Sequence, residues 1–341
     1  MLSDQKKLAN EKTIGAVPAF PYKSDYIRPT VAEFIGRLQP GKFDELKLVK
    51  STDAKDKTTQ LPFPTKLSFQ VEKYFTIDVL TDLLTEYARV QANIHGQECP
   101  LNYWNKNHSQ IRVLAKRRYG KVTSETLRET LYAQCKEATG FSITIAKTVY
   151  DLLLQGKKNA QVLDPFSGWG DRALAVLGCP QIKDYFGIDS NSRLKEGYAK
   201  IADLDKDRIH LSLKRFEDWQ PDIKTKTDFD LIFTSPPYYD YEVYEQHSTH
   251  QSISDKRDYA EWLELFMIPA LAKMTSLLKE DGLLALHIGQ TFRTPKMGED
   301  VFLAITKRLD CVHVQNIDCS TGNKRSIPIW IYRRKKITPP V

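Results

Sequence analysis

The chain has 341 residues, more than one average domain and fewer than three, so a catalytic core with an accessory region is the first expectation. With 41% hydrophobic and 27% charged residues it has the composition of a soluble globular protein, which sets aside disordered and membrane classes. No apolar run reaches the roughly 18 residues a membrane span needs, and the lysine-bearing start has no apolar core of a signal peptide. The protein is therefore expected inside the cell, in the cytoplasm if the source is prokaryotic or viral. Five scattered cysteines form no CxxC and no Cys/His pair at zinc spacing, so neither a disulfide framework nor a metal site is expected. A net charge of +7 suits a polyanionic partner without requiring one.

Residues 1–66 are rich in Lys, Asp, Thr and Pro, with short apolar clusters such as Phe20 and Tyr22, and read as an extended arm or loop-rich subdomain. Leu80, Leu83, Leu84, Tyr87 and Val90 recur at helical spacing and predict an amphipathic helix over 77–92. A second helix is predicted over 124–138, opened by Ser124 and closed by Gly140. Between them lies a basic and aromatic stretch holding Trp104, His108, Lys116, Arg117, Arg118, Tyr119 and Lys121.

From residue 160 short β runs alternate with helical stretches. Strands are predicted at 161–164, 184–189, 209–213, 229–234 and 283–288, and helices at 171–177, 193–201, 259–278 and 300–308. Two closing β runs, 312–317 and 327–332, complete a doubly wound α/β sheet with an antiparallel edge. Domains are expected at 1–139 (mainly helical and loop-rich, accessory, target-recognising) and 140–341 (catalytic).

Two turns carry chemistry. The segment Asp164-Pro-Phe-Ser-Gly-Trp-Gly-Asp171 sits between a strand and a helix, and Gly168 and Gly170 let the backbone come close to a ligand. It lacks the spacing of a dinucleotide fingerprint. Asp189 ends the next strand, 25 residues on, where a carboxylate can accept both hydroxyls of a ribose. The second turn, Thr234-Ser-Pro-Pro-Tyr238, stops a buried strand because consecutive prolines neither donate to the ladder nor enter a helix. The Ser235 hydroxyl and Pro236 carbonyl can accept hydrogen bonds from an exocyclic amine, and Tyr238 offers a π face to a planar base.

In this order, DPFSGWG, the acid of GIDSN, and TSPPY resemble the class I S-adenosylmethionine-dependent methyltransferases, specifically the amino-methylases of DNA cytosine-N4 and adenine-N6. The resemblance covers residues 140–336, and a Ser before Pro-Pro-Tyr is commonest in the cytosine-N4 branch. It implies a Rossmann-like sheet, S-adenosylmethionine as cofactor and a nucleic-acid substrate, DNA favoured over RNA. Carried over by motif, Asp164, Gly168 and Gly170 would line the methionine part, Asp189 the ribose, and Asp218 the adenine amine, with Phe216 or Trp219 packing nearby and Phe166 and Ser190 also touching the cofactor. Thr144 falls in the stretch that resembles the remaining cofactor motif. Ser235, Pro236, Pro237 and Tyr238 would hold the target.

Two departures matter. A charged pair, Asp171-Arg172, follows the glycine loop, and only 66 residues separate Gly168 from Thr234, which leaves no room for an inserted recognition domain. Target recognition is therefore expected from the N-terminal region, from the loop 239–257, or from both. In the loop, Tyr239, Tyr241, Tyr244, His247 and His250 would wall a flipped base. Lys116, Arg117, Arg118, Tyr119 and Lys121, near Trp104 and His108, fit a phosphate-tracking surface with aromatic stacking. Lys324, Arg325, Arg333, Arg334, Lys335 and Lys336 would add charge at the other end, and His95 and His108 are read as structural.

The same site admits an RNA base (adenine-N6 or guanine-N2) or a protein amide as acceptor. A reading of another class is a non-catalytic nucleic-acid-binding subunit, against which the intact glycines, Asp189 and SPPY quartet speak. Carbon-5 methylation is set aside because no Pro-Cys dipeptide is present.

Overall fold

The computed structural model describes residues 17–27, 29–38, 46–49, 67–71, 77–94, 96–221, 228–244, 251–253, 258–320 and 328–335, with the backbone alone for 46–49, 67–71 and 318–320. The strands that follow residue 160 are β4 (Ala160–Asp164), β5 (Ile182–Asp189), β6 (Ile209–Leu213), β7 (Phe229–Thr234), β9 (Leu278–His287), β10 (Cys311–Ser320) and β11 (Ile329–Arg334). They lie side by side in the order β6-β5-β4-β7-β9-β11-β10. β4, β5, β6, β7 and β9 run parallel, and β11 is antiparallel to both its neighbours. This is a doubly wound, mostly parallel sheet with an antiparallel last strand.

Both faces of the sheet are covered, which is why its strands read as nearly continuous apolar runs. On one face Val162, Phe233, Ala285 and Ile331 join Leu80, Leu84, Ile143, Val149 and Ile201, which belong to α2 (Val79–Arg89), α5 (Ile143–Leu153) and α7 (Lys195–Asp203). On the other, Ile232, Leu284, Leu286, Trp330 and Tyr332 meet Trp262, Phe266, Leu271, Met274 and Val301. Those five come from α8 (Tyr259–Trp262), the widened π turn Leu263–Met267, α9 (Ile268–Leu277) and α10 (Met297–Arg308).

The region before residue 140 enters the same sheet. Strands β1 (Leu46–Val49) and β2 (Leu67–Val71) pair with each other, and β2 runs parallel to β10 at the sheet's edge. α1 (Val31–Leu38) buries Phe34 and Leu38 in the first face's cluster. The stretch at 100–119 is one long helix, α3 (Pro100–Tyr119), started by Pro100 and ended by Gly120 in the left-handed conformation. Its apolar stripe of Trp104, Ile111 and Ala115 packs on Leu127 and Leu131 of α4 (Ser124–Tyr132). α4 is shorter than predicted: Thr123, not Ser124, is its cap, in a reciprocal box with Thr126, and the helix stops at Tyr132.

Three further boundaries differ from expectation. The helix predicted over 259–278 contains the π turn, after which Pro269 has no N–H to return to the preceding turn. It ends at Leu277, so Asp281 and Gly282 fall inside β9, where Asp281 takes a positive φ of 61°. A two-stranded ribbon joins β3 (Asn93–Ile94) to β8 (Glu242–Val243), tying the N-terminal region to the loop after the Pro-Pro turn.

Candidate active site

The sheet's strand order reverses between β4 and β7, and open α/β sheets bind ligands outside the carboxyl ends of the strands at such a point. Both sequence motifs end there. The two strand ends are bonded to each other: Thr234 Oγ1 donates to Asp164 at 2.7 Å and accepts from the Phe166 amide at 3.1 Å.

The glycine loop is shaped by this arrangement. Gly168 (φ 56°) and Gly170 (φ 94°) both occupy the left-handed region, which a side chain would strain. At Gly170 a Cβ would also stand 2.5 Å from Ile201 Cδ1, so the Ile201 side chain would have to turn aside. The Gly168 amide donates to Asp189 Oδ2 and the Asn191 amide to Oδ1, both at 2.9 Å. Burial nevertheless pushes the Asp189 carboxyl up to about 6, these two amides opposing the rise.

Two cavities open over the loop. The first is lined by Phe166, Gly168, Asp189, Ser190, Phe216 and Phe266, among others, with Gln251, Ser252 and Ile253 of the returning loop. The second is lined by Phe141, Arg172, Pro236, Tyr238, Tyr241 and His287, with Gln290 and Thr291 at one side. Phe166, Gly168, Trp169, Ser235, Pro237, Glu242 and Tyr244 face both. The Ser-Pro-Pro-Tyr turn thus forms part of the wall between them.

Several expected residues lie elsewhere. Asp164 is fully buried beneath the loop, and its oxygens are occupied by Arg172, the Tyr185 hydroxyl and Thr234. It shapes the loop and lines neither cavity, and Arg172, of no evident role in the sequence, is its counter-ion. Asp218 is two-thirds exposed and pairs with Arg215; the strand-end residues that line the first cavity are Lys214, Arg215, Phe216 and Glu217. Thr144 is buried and bonded to Ser142, while Thr139, Gly140 and Phe141, a few residues earlier, line the second cavity.

Of the tyrosines after the Pro-Pro turn, Tyr241 and Tyr244 face the cavities. Tyr239 turns away, with φ 53°, and packs edge-on against Tyr259 and Trp262. His247 and His250 lie outside the described residues, as do His95, Lys324, Arg325 and Lys336. Lys116, Arg117, Arg118 and Lys121 are exposed at the end of α3, and the Arg118 guanidinium sits 5.3 Å from the Tyr119 ring. Trp104 cannot stack on a base there, because it is buried and donates to the Pro18 carbonyl at 2.9 Å.

Among the cavity residues absent from the expectations, His287 and Glu242 bear directly on the chemistry. His287, the last residue of β9, lies with Nδ1 3.2 Å from Ser235 Oγ and 3.1 Å from the Tyr238 hydroxyl. Both hydroxyls are also within reach of its carbonyl oxygen, at 3.2 and 2.9 Å. Burial, with the nearby Arg172 charge, pushes the imidazole down to about 3, so it is neutral at physiological pH. A polar residue ending a strand beside β7 was the available signal. Glu242 accepts from the Tyr244 hydroxyl at 2.6 Å and the Thr139 amide at 3.3 Å, and burial raises its carboxyl. Its position depends on the β3–β8 pairing, which no local pattern announces.

Among the described residues no cluster of His, Cys, Asp and Glu could hold a metal ion, and no helix is long and apolar enough to cross a membrane. No protein-family model and no curated protein sequence matches the chain. Among solved structures it is similar to one described as a class I S-adenosylmethionine-dependent methyltransferase from Listeria monocytogenes, at 15% identity and a TM-score of 0.41, over 63% of this chain and 69% of that one. A structure described as an rRNA methylase from Clostridium thermocellum shares 16% identity at a TM-score of 0.39, over 58% of this chain and all of that one. The tRNA m1G37 methyltransferase of M. jannaschii shares 16% at 0.36, over 58% of this chain and 52% of that one.

Proposed function

We propose that the protein is a methyltransferase that uses S-adenosylmethionine to methylate the exocyclic amino nitrogen of a nucleobase, with cytosine-N4 or adenine-N6 of DNA as the favoured targets. The observation that carries this reading is the shared wall: Ser235 and Pro237 face both cavities, whereas Pro236, Tyr238 and His287 face only the second. A donor site and an acceptor site thus meet at the motif suited to an amine.

The first cavity fits the cofactor by its chemistry. Asp189, aligned by two amides, suits a ribose diol, and Phe166, Phe216, Ile253 and Phe266 offer apolar surface to a purine. The Asp164 carboxylate is fully engaged, and Glu242, the described acid that lines both cavities, is placed to meet an ammonium between them. When bound, S-adenosylmethionine supplies an electrophilic methyl group on a sulfonium.

The chain's own residues prepare the acceptor. An exocyclic amine is a poor nucleophile because its lone pair is delocalised into the ring. The Ser235 proton has His287 as an acceptor, which leaves the lone pairs of Oγ for a proton of that amine. The Pro236 carbonyl, held by two prolines, takes the other. Hydrogen bonds to both protons, neither transferred before the methyl group, push the nitrogen toward tetrahedral geometry and free its lone pair, so positioning and electrostatics supply the acceleration, and the surplus proton of the methylated nitrogen passes to water. Tyr238 offers its ring to the base while its hydroxyl is tied to His287.

Residues 140–341 carry this chemistry in our reading, and residues 1–139 contribute to substrate choice through the basic end of α3. The test is incubation with labelled S-adenosylmethionine and mixed DNA, RNA and protein, followed by nucleoside mass spectrometry. N4-methylcytosine or N6-methyladenine in DNA is expected. Label in RNA or protein alone moves the acceptor, and no cofactor binding by calorimetry overturns the enzyme reading in favour of a binding subunit.

A further inference from the structure

The loop after β9 holds a large apolar side chain in open solvent: Phe292 is 95% exposed, the highest exposure of any large hydrophobic residue described. Leaving a Phe side chain in water forgoes the free energy of burying it, so a loop that holds it out needs a reason. The loop is rigid by construction. Thr291 and Thr294 close it on themselves, their hydroxyls 2.7 Å apart, with the Thr294 amide donating to Thr291 Oγ1 at 3.0 Å and the Thr291 amide to the Thr294 carbonyl at 3.3 Å. Next to Phe292, Arg293 forms an ion pair with Asp240, two residues beyond Tyr238. The turn is therefore fastened to the segment that follows the Ser-Pro-Pro-Tyr motif.

Its place explains the exposure. Gln290 and Thr291 line the second cavity, so Phe292 stands at that cavity's rim, flanked by the exposed cations Arg293 and Lys296. Resting on the nucleic-acid reading above, we infer that Phe292 is a wedge: when a base leaves a duplex for the second cavity, the Phe292 ring takes its place in the stack. Extruding a paired base costs stacking and pairing, and an inserted apolar ring offsets part of that loss. Lys296 supplies the positive charge that brings the phosphates of the gap to the turn, while Arg293 stays paired with Asp240.

Two measurements on the full chain test this. Methyl transfer by wild type and Phe292→Ala is compared on one target sequence presented as a single strand, as a paired duplex, and as a duplex with the target mismatched. The wedge predicts a loss of about tenfold or more on the paired duplex and little change on the other two, because only the paired base must be extruded at full cost. An equal effect on all three, or none on the duplex, overturns it. Wild type that methylates protein and none of the three probes removes the nucleic-acid reading itself, and the wedge with it.

The second measurement needs no turnover. All five native tryptophans are buried, so Phe292→Trp adds one exposed fluorophore to a quiet background. Adding duplex should protect this tryptophan from acrylamide. Quenching that stays the same while the duplex is shown to be bound overturns the insertion.

Discussion

Arg172 reaches back eight residues to Asp164, its Nε donating to Oδ2 at 2.7 Å with both side chains shut off from solvent. The same guanidinium holds the Phe166 carbonyl at 2.5 Å, so the pair clamps both ends of the turn on which the first cavity rests. Breaking a buried pair strands a charge, so Arg172→Ala should lower stability by about 3–5 kcal/mol in urea unfolding. Asp164→Asn should likewise shift the unfolding midpoint. A variant that loses cofactor affinity with an unchanged midpoint would return this carboxylate to the cofactor.

Asp189 sets a pH dependence. Its folded pKa, about 6, lies above the ordinary aspartate value of about 4, so the folded state holds the extra proton between them. Stability attributable to this group therefore falls as pH rises through that window. Cofactor affinity should run the other way, since a ribose diol donates to the charged form, and should weaken as pH drops below about 6. Calorimetric titration between pH 5 and pH 8, set by that shift, should show the step in wild type and lose it in Asp189→Asn. Asp171, also raised to about 6, faces the second cavity, so a step that persists in the variant would belong to it instead.

Much of this site was legible in the sequence, for identifiable reasons. Runs such as Phe229–Thr234 are buried throughout and mostly apolar because both faces of the sheet are covered, and their ends are punctuated by glycine or proline where a ligand would approach. Asp164 was misplaced because a motif shows that an acid ends a strand but not which way its carboxylate is spent. The competing partner, Arg172, lay in plain view. Asp218 was misplaced by a similar ambiguity: four residues, Lys214 to Glu217, face the first cavity just before it. His287 and Glu242 depend on the pairing of β9 with β7 and of β8 with β3, which join residues 49 or more positions apart. α3 could have been read from its Pro100 start, its Gly120 stop and the spacing of Trp104, Ile111 and Ala115; its density of charge masked that stripe.

Glu242 offers a test that separates the two ends of the cofactor. If it meets the methionine ammonium, Glu242→Gln should weaken S-adenosylmethionine binding by about tenfold, the scale of one charge-assisted hydrogen bond. Adenosine, which lacks that group, should bind the variant as it binds wild type, whereas Asp189→Asn should weaken both ligands. Equal losses for adenosine and S-adenosylmethionine in Glu242→Gln would make the residue a structural support of the ribbon.

The histidine behind the motif should act on turnover and leave cofactor binding alone. His287 lines the second cavity and not the first, and it anchors the hydroxyls of Ser235 and Tyr238 together. Removing the imidazole in His287→Ala leaves the backbone carbonyl as the sole anchor on that residue, so both hydroxyls gain freedom to turn their protons toward the amine. The expected result is a fall in kcat of about tenfold to a hundredfold, within the range set by losing orientation, with the S-adenosylmethionine Kd unchanged. Tyr238→Phe, which keeps the ring and releases one hydroxyl, should cost less than Tyr238→Ala, which removes the stacking face. Because the imidazole is neutral above about pH 3, kcat should show no histidine titration near neutrality. A wild-type kcat profile with a limb near pH 6.5, the ordinary histidine value, that disappears in His287→Ala would make this residue a proton carrier.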